Sequence, residues 1–298
     1  MTRRLALAWL GLLVVVAFAA DCLAADRPIV YSRAGDLTWL PGAGPGGDDL
    51  RATLGDDDWA LWPPIAADPL AVRTDGELAP LAAPSRRHLL GTDDRGRDVA
   101  ARLIHGVRTS LRAAAIATTL ALVLAVILAL VAVRVGGATG VGVLAACDVF
   151  AAAPALLGAV AVGGLTGARG VTALALLVAV PRGADTARLV AASLRATLAE
   201  PFAAAARAAG ASPARVLIRH ALPHARAGLV AASAITAATT ILAEAALSFL
   251  GLGAAPPTPS WGELLAQASQ HELRWWLMLP AGLATTMTAA ALLRLART

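Results

Sequence analysis

The chain has 298 residues, 58% of them hydrophobic and 15% charged, with a mean hydropathy of +0.68 and an isoelectric point near 10.7. This is far from a soluble average and describes an integral membrane protein. Its 25 Lys/Arg-type residues are all arginine, so a P-loop ATPase is excluded for want of the phosphate-holding lysine; arginines scattered between apolar runs without interleaved aromatics exclude a nucleic-acid binder.

Six apolar runs approach or exceed the ~18 uncharged residues of a membrane span. The first, about Leu5 to Ala24 with Asp21 near its outer end, follows Arg3 and Arg4. Its start also fits a signal peptide, with small residues at Ala19, Ala20, Ala24 and Ala25. Retention is expected, because an uncleaved span puts every later loop on the side its arginines demand. Residues 26–106 then form an extracytoplasmic region rich in Pro, Gly and Asp. Within it Ile29–Tyr31 and Leu37–Trp39, linked through Arg33-Ala34-Gly35-Asp36, predict a small hairpin, and the rest reads as irregular loop. Its arginines do not oppose this side, since long loops translocate largely regardless of charge. Asp56–Asp58 and the run Asp93–Asp98 lack the ligand spacing of an EF-hand and read as turn and solvation segments.

The clearest span is Ala113–Val133, uncharged between Arg112 and Arg134. Gly136, Gly137, Gly140 and Gly142 predict a tight cytoplasmic turn before a third span that has Asp148 near its inner end and runs to about Leu165. After an outer turn at Thr166–Gly170, a fourth span at about Val171–Val190 carries Arg182 and Asp185, groups that must be paired if they lie in the bundle. The fifth runs from about Ala227 to Phe249 and the sixth from near Trp275 to the cytoplasmic Arg294 and Arg297. Trp275 and Trp276 suit an interfacial belt, and spans rich in Ala, Gly, Ser and Thr permit close helix approach. The expected fold is all-α with about six transmembrane helices: a first helix in residues 1–25, the extracytoplasmic region at 26–106 and a five-helix core domain at 107–298, with both termini cytoplasmic.

One inter-span segment stands apart, EPFAAAARAAGASPARVLIRHALPHAR from Glu200 to Arg226. Arg182, Arg188, Arg195, Arg207, Arg215, Arg219 and Arg226 face only Asp185 and Glu200, which marks a cytoplasmic loop under the positive-inside rule. Ala203–Ala209 are strong helix formers and Gly210 is a C-terminal stop. Ser212 and Pro213 read as N-cap and first position of a second helix, Ala214–His220, which Pro223 ends. Two short helices therefore meet at an elbow, where Arg207 and Arg215 offer fork-shaped donors to carboxylates.

Other polar residues carry less. Glu244 in the fifth span is costly unless it faces a cavity or finds partners, of which an arginine or a helix N-terminus is the natural kind. His220 and His224 have ligand spacing but are interrupted by Pro223 and read as surface imidazoles. Cys22 and Cys147 are expected near opposite faces, unable to pair, and Gly251-Leu252-Gly253 is a turn. No Ser-His-Asp set, paired carboxylates or zincin motif stands out.

The elbow resembles the EAA loop of ABC-transporter permeases, and its wording is similar to the dipeptide, oligopeptide and nickel import branch. Ala205, Ala206, Gly210, Leu222 and Pro223 stand in register, with Arg207 and Gly210–Ser212 also matching, whereas Ala204 occupies the place of the leading glutamate. Leu90–Leu111 and Leu242–Leu265 resemble two further stretches of the family, and GDDDWALWPP at Gly55–Pro64 is similar to the Yej-type subunit of microcin-C and oligopeptide importers. The resemblance covers roughly Leu5 to Arg294.

It implies a permease subunit of an ATP-driven peptide importer in the bacterial inner membrane, not itself an enzyme and holding no cofactor or metal. ATP and Mg would be used by partners: two ATPase subunits or domains, beside a second, different permease and an extracytoplasmic solute-binding protein. Coupling to the ATPase would fall on residues 195–226, through Ala204, Ala205, Ala206, Arg207, Gly210, Ser212, Leu222 and Pro223. The resemblance also places a glutamate at position 244, implying a hydrogen bond that holds an outer gate in preference to a contact with substrate in the pathway. Dipeptides, longer peptides, peptide antibiotics and nickel stay open as cargo, so a nickel or metal-chelate permease is the near alternative. An ion-coupled secondary transporter, which should show several intramembrane ionisable residues, and a non-transporting scaffold are the distant ones.

Overall fold

The structure, a computed structural model, describes residues 2–33, 36–39, 47–55, 57–71, 80–152, 155–166, 170–254, 256–272 and 274–297. Ala34 and Gly35 of the hairpin link, Asp56, and Gly167–Arg169 of the outer turn lie outside the described residues. In chain order it runs α1 (Arg3–Leu23), β1 (Val30–Arg33), β2 (Asp36–Trp39), α2 (Gly47–Thr53), β3 (Trp59–Leu61), α3 (Val99–Val135), α4 (Gly137–Ala152), α5 (Ala155–Thr166) and α6 (Val171–Leu198). There follow α7 (Pro201–Ala208), α8 (Pro213–Arg215), a π-helical turn (Val216–Ala221), α9 (Leu222–His224), α10 (Arg226–Phe249), α11 (Trp261–Gln270) and α12 (Trp275–Ala296). Among the described residues α1, α3, α10 and α12 are long and apolar enough to cross a membrane, and α6 with α7 makes a fifth candidate bent by 67°.

The chain divides into two compact units. The first comprises Met1–Ala6, Ala113–Ala243 and Ala289–Thr298 and is held by small apolar side chains. Ala125 of α3, Cys147 of α4 and Ala184 and Ala187 of α6 form one buried cluster. Gly183 of α6 lies so close to α3 that a β-carbon there would meet the Ala121 carbonyl at 3.0 Å and Leu124 Cδ2 at 2.9 Å. Two ion pairs lie in this unit, Arg188 with Asp148 at 2.8 Å and Arg182 with Asp185 at 3.2 Å.

One expectation is corrected in this unit. The glycine turn is confined to Gly136 and Gly137, whose φ angles are +64° and +53°, while Gly140 and Gly142 are helical. Gly140 is glycine for a different reason, since a β-carbon there would strike the Ala132 carbonyl of α3. The expected third span, from the region of Asp148 to Leu165, is helical on both sides of residues 153–154, which lie outside the described residues, as α4 and α5.

The second unit comprises Leu7–Arg112 and Glu244–Thr288 and is held by polar bonds. α3 starts fourteen residues before its apolar run, because Asp98 caps it, its Oδ1 accepting the Ala101 N–H at 2.8 Å. The 106/107 boundary expected from sequence therefore falls inside this helix. The predicted hairpin is present as β1 and β2, joined by a third strand in the order β2-β1-β3, all antiparallel.

Asp93–Asp98 is no solvation segment. Asp93, Arg97 and Arg102 are each no more than 1% exposed. Arg97 Nε bonds Asp93 Oδ2 at 2.7 Å, Arg102 Nε reaches the same oxygen at 3.3 Å, and both guanidinium groups contact Glu263 of α11. Arg102 also donates to the Pro69 carbonyl at 2.8 Å, and Gln267 donates to Glu263 at 3.0 Å. Charges that would be costly to bury alone thus satisfy one another.

Candidate functional site

The elbow is built inside the first unit. Pro201 starts α7 where no N–H is needed. Its end is a Schellman closure: Gly210 has φ +86°, its N–H reaches the Arg207 carbonyl at 3.0 Å, and the Ala211 N–H reaches the Ala206 carbonyl at 3.0 Å. Ser212 then caps the next helix, its Oγ accepting the Arg215 N–H at 3.3 Å with Pro213 at the first position. This cap stabilises the turn by about 1 kcal/mol.

Beyond Arg215 the expected regular helix is not found. Val216–Ala221 is a π-helical turn in which the Leu222 N–H reaches back to the Leu217 carbonyl. Pro223 does not end the segment; it sits in the first turn of α9, where its missing N–H leaves no gap, and helix continues to His224. The wider turn brings Val216, Leu217, Ala221 and Ala225 to the buried side, all 5% exposed or less. Leu217, Ala221 and Ala225 join Val190, Ala191 and Leu194 of α6 and Ala129 of α3 in one cluster.

The opposite side is open. Ala204, Ala205, Arg207, Gly210, Ser212 and Pro223 are exposed, and Ala206 and Leu222 are half-buried. Small side chains there are flanked by Arg207 and Arg215, which form no salt bridge among the described residues, and the segment also exposes Phe202 and Ile218. His224 stacks on Phe202 with ring centroids 5.8 Å apart, and its Nδ1–H donates to the His220 carbonyl at 2.7 Å. The two imidazoles therefore do not converge on a common point, and no cluster of three or more metal-ligating side chains occurs among the described residues.

Glu244 belongs to the second unit. It is 2% exposed, and its Oε2 accepts from Ser110 Oγ of α3 at 3.3 Å. Ser260, Ser248 and the Gly262 N–H surround the rest of the carboxyl group. Ser260 is the N-cap of α11, so the Glu244 carboxyl group faces the start of that helix. Oε1 and the neighbouring Ser248 Oγ make no hydrogen bond of normal geometry. Gly262 lets α11 come this close, and Trp261 beside it is buried against Gly106 and donates to the Leu103 carbonyl at 3.1 Å. Sequence reasoning singled out Glu244 alone; Ser110, Ser248 and Ser260 carry no pattern that separates them from other span serines.

The chain matches, over residues 121–297, the family described as binding-protein-dependent transport system inner membrane component. It is 34% identical to the di/tripeptide transport system permease protein DppC of Pseudomonas aeruginosa, over 78% of each chain. It is 39% identical to the dipeptide transport system permease protein DppC of Escherichia coli K12, over 73% of each, and 35% identical to a putative peptide transport system permease protein of Brucella suis, over 70% of each. Among solved structures, an inward-facing MetNI methionine ABC transporter chain superposes with a TM-score of 0.50 at 20% identity, covering 64% of this chain and 93% of that one, a likeness of fold. This chain therefore belongs to the family of binding-protein-dependent transport system inner membrane components.

Proposed function

We propose that the chain is one of two different permease subunits of an ATP-driven importer, and that it lines the path by which peptides cross the inner membrane. The observation that carries the reading is the elbow, whose exposed face is small and cationic while its buried face is packed into α6 and α3. Peptide cargo is supported by the relatives, which are named as peptide, dipeptide and di/tripeptide transport permeases. An external binding protein delivers the peptide, and two ATPase subunits or domains, using ATP and Mg, press on residues 195–226 from the cytoplasm, where both termini also lie. Ala204, Ala205, Ala206 and Gly210 let the ATPase surface approach, and Arg207 and Arg215 donate to its carboxylates. Ser212 keeps the turn closed, and Leu222 and Pro223 tie the elbow to α10. Glu244 holds the outer end of the path through Ser110 and α11.

The test is uptake by the complete complex in proteoliposomes. ATP-dependent accumulation of a dipeptide or oligopeptide is expected with wild type. In Gly210→Val, ATP hydrolysis continues while uptake falls about tenfold or more, because a β-branched residue at φ +86° costs about 2 kcal/mol of local strain and opens the closure. Uptake by this chain alone without ATP would overturn the importer reading, and wild-type coupling in Gly210→Val would overturn the role of the elbow.

A further inference from the structure

The three-stranded sheet after α1 has two unlike faces. The register sets Val30 opposite both Trp39 and Leu61, and Ser32 opposite both Leu37 and Trp59. Since side chains alternate along a strand, Leu37, Trp39, Val30, Trp59 and Leu61 share one face. The other carries Tyr31, Thr38 and Ala60, with Arg33 paired to Asp36 at the strand ends. The apolar face is uncovered: Leu37 is 66% exposed, Trp39 70%, Trp59 53% and Leu61 55%. Such a patch in an aqueous loop has no reason to persist without an occupant.

Four observations identify the occupant. The sheet is fastened to the end of α1: the Ile65 N–H donates to the Leu23 carbonyl at 3.1 Å, the Ala25 N–H to the Ile65 carbonyl at 3.1 Å, and the Ile29 N–H to the Leu61 carbonyl at 2.8 Å. The flank of α1 itself is apolar and open, with Leu12, Val15 and Phe18 between 52% and 84% exposed, so the sheet stands at the end of a helix long and apolar enough to cross a membrane. The residue types suit the boundary between headgroups and acyl chains, where an indole buries its ring and keeps its N–H wet. Finally, the four side chains offer about 400–500 Å² of apolar surface, short of the ~800 Å² per partner of a stable protein interface.

We infer that the Leu37/Trp39/Trp59/Leu61 face rests in the interfacial layer of the bilayer, so that the sheet is a lipid-seated foot at the outer end of the first span. This does not depend on the cargo or on ATP coupling. The experiment uses the full-length chain in its complex, in nanodiscs of phosphatidylethanolamine and phosphatidylglycerol, with Cys22→Ala and Cys147→Ala. Single cysteines replacing Leu37, Trp59 or Thr38 carry a nitroxide, and collisions with oxygen, which partitions into lipid, are compared with those of a water-soluble nickel chelate. Positions 37 and 59 are expected to favour oxygen several-fold over position 38. Equal access of the chelate to all three overturns the inference, as does protection of 37 and 59 that arises only on adding the purified binding protein. A second measurement needs no label: shallow-brominated lipid should quench less of the tryptophan emission in Trp39→Ser/Trp59→Ser than in wild type, and equal fractional quenching also refutes the proposal.

Discussion

Gly262 sets the distance between α11 and α10, and replacing it with alanine measures how tightly the Glu244 pocket is closed. A β-carbon on Gly262 stands 2.5 Å from Ser248 Oγ and 2.9 Å from both the Glu244 carbonyl oxygen and Ser248 Cβ, where ordinary contact needs about 3.5–4.0 Å. The hydroxyl can rotate away, but the carbonyl and the β-carbon move only with α10. Overpacking of this kind costs about 1–3 kcal/mol, offset by less than the ~1 kcal/mol that alanine gains in a helix interior, because Gly262 lies in the first turn. Two other glycines of the same unit calibrate the result. At Gly106 the nearest atom is Trp261 Cδ1 at 3.1 Å, and at Gly282 it is Leu265 Cδ2 at 3.8 Å. Apparent unfolding midpoints of the purified complex should fall in the order Gly282→Ala, wild type, Gly106→Ala, Gly262→Ala, with roughly 2–4 °C per kcal/mol. Gly262→Ala as stable as Gly282→Ala would show that α10 and α11 do not approach as described.

Three further outcomes follow from the same geometry. Arg102→Met removes a guanidinium shared by Asp93 and Glu263 and should cost about 3–5 kcal/mol, read as a drop in the unfolding midpoint; a loss below 1 kcal/mol would mean the network is hydrated. Glu244→Gln keeps an acceptor for Ser110 Oγ–H and should be tolerated, whereas Glu244→Leu strands that buried donor at about 1–3 kcal/mol; equal midpoints for the two would dismiss the hydrogen bond. Ala204→Glu, on an exposed position of α7, should strengthen association with the ATPase in pull-down titrations, and a weaker complex would show that this chain uses a different anchoring arrangement.

What was legible in the sequence was local. The Gly210 stop, the Ser212-Pro213 start, the β1–β2 pairing and the apolar runs of α1, α10 and α12 follow from residue types a few positions apart, and each is present. The π-helical turn was not legible, because Val216–Ala221 reads as ordinary helix until burial on α6 selects a wider turn. Nor was the clasp: Asp93 and Arg97 have helix-like spacing, but their burial depends on Glu263, 166 residues away from Arg97. Polar runs such as Asp93–Asp98 look solvated whenever their partners are that distant. Gly140 misled for a related reason, since a glycine that admits a neighbouring helix and a glycine that turns the chain are the same letter.

The two units differ in the kind of force that holds them, and this bears on how an impulse at the elbow would be used. Leu7–Arg112 with Glu244–Thr288 is closed by directional contacts: the Asp93–Arg97–Arg102–Glu263 clasp, the Trp276 N–H on the Thr92 carbonyl at 3.2 Å, and the Gly262 contact with Ser248. Displacing any of these by an ångström breaks a hydrogen bond or creates a clash. The unit that contains the elbow is closed by alanine against alanine, with Ala129, Ala187, Ala191 and Ala221 all fully buried. Dispersion between such small, smooth surfaces is weak per atom and indifferent to direction, so away from the close contacts of Gly140 and Gly183 with α3 helices packed in this way exchange neighbours at little cost. On the proposed coupling role, force entering through Leu217 and Ala221 onto α6 would be absorbed by rearrangement within that unit, while the polar unit keeps its internal geometry. An alanine-rich sequence, which composition alone would explain by lipid packing, here also supplies the compliance that an ATP-coupled permease requires.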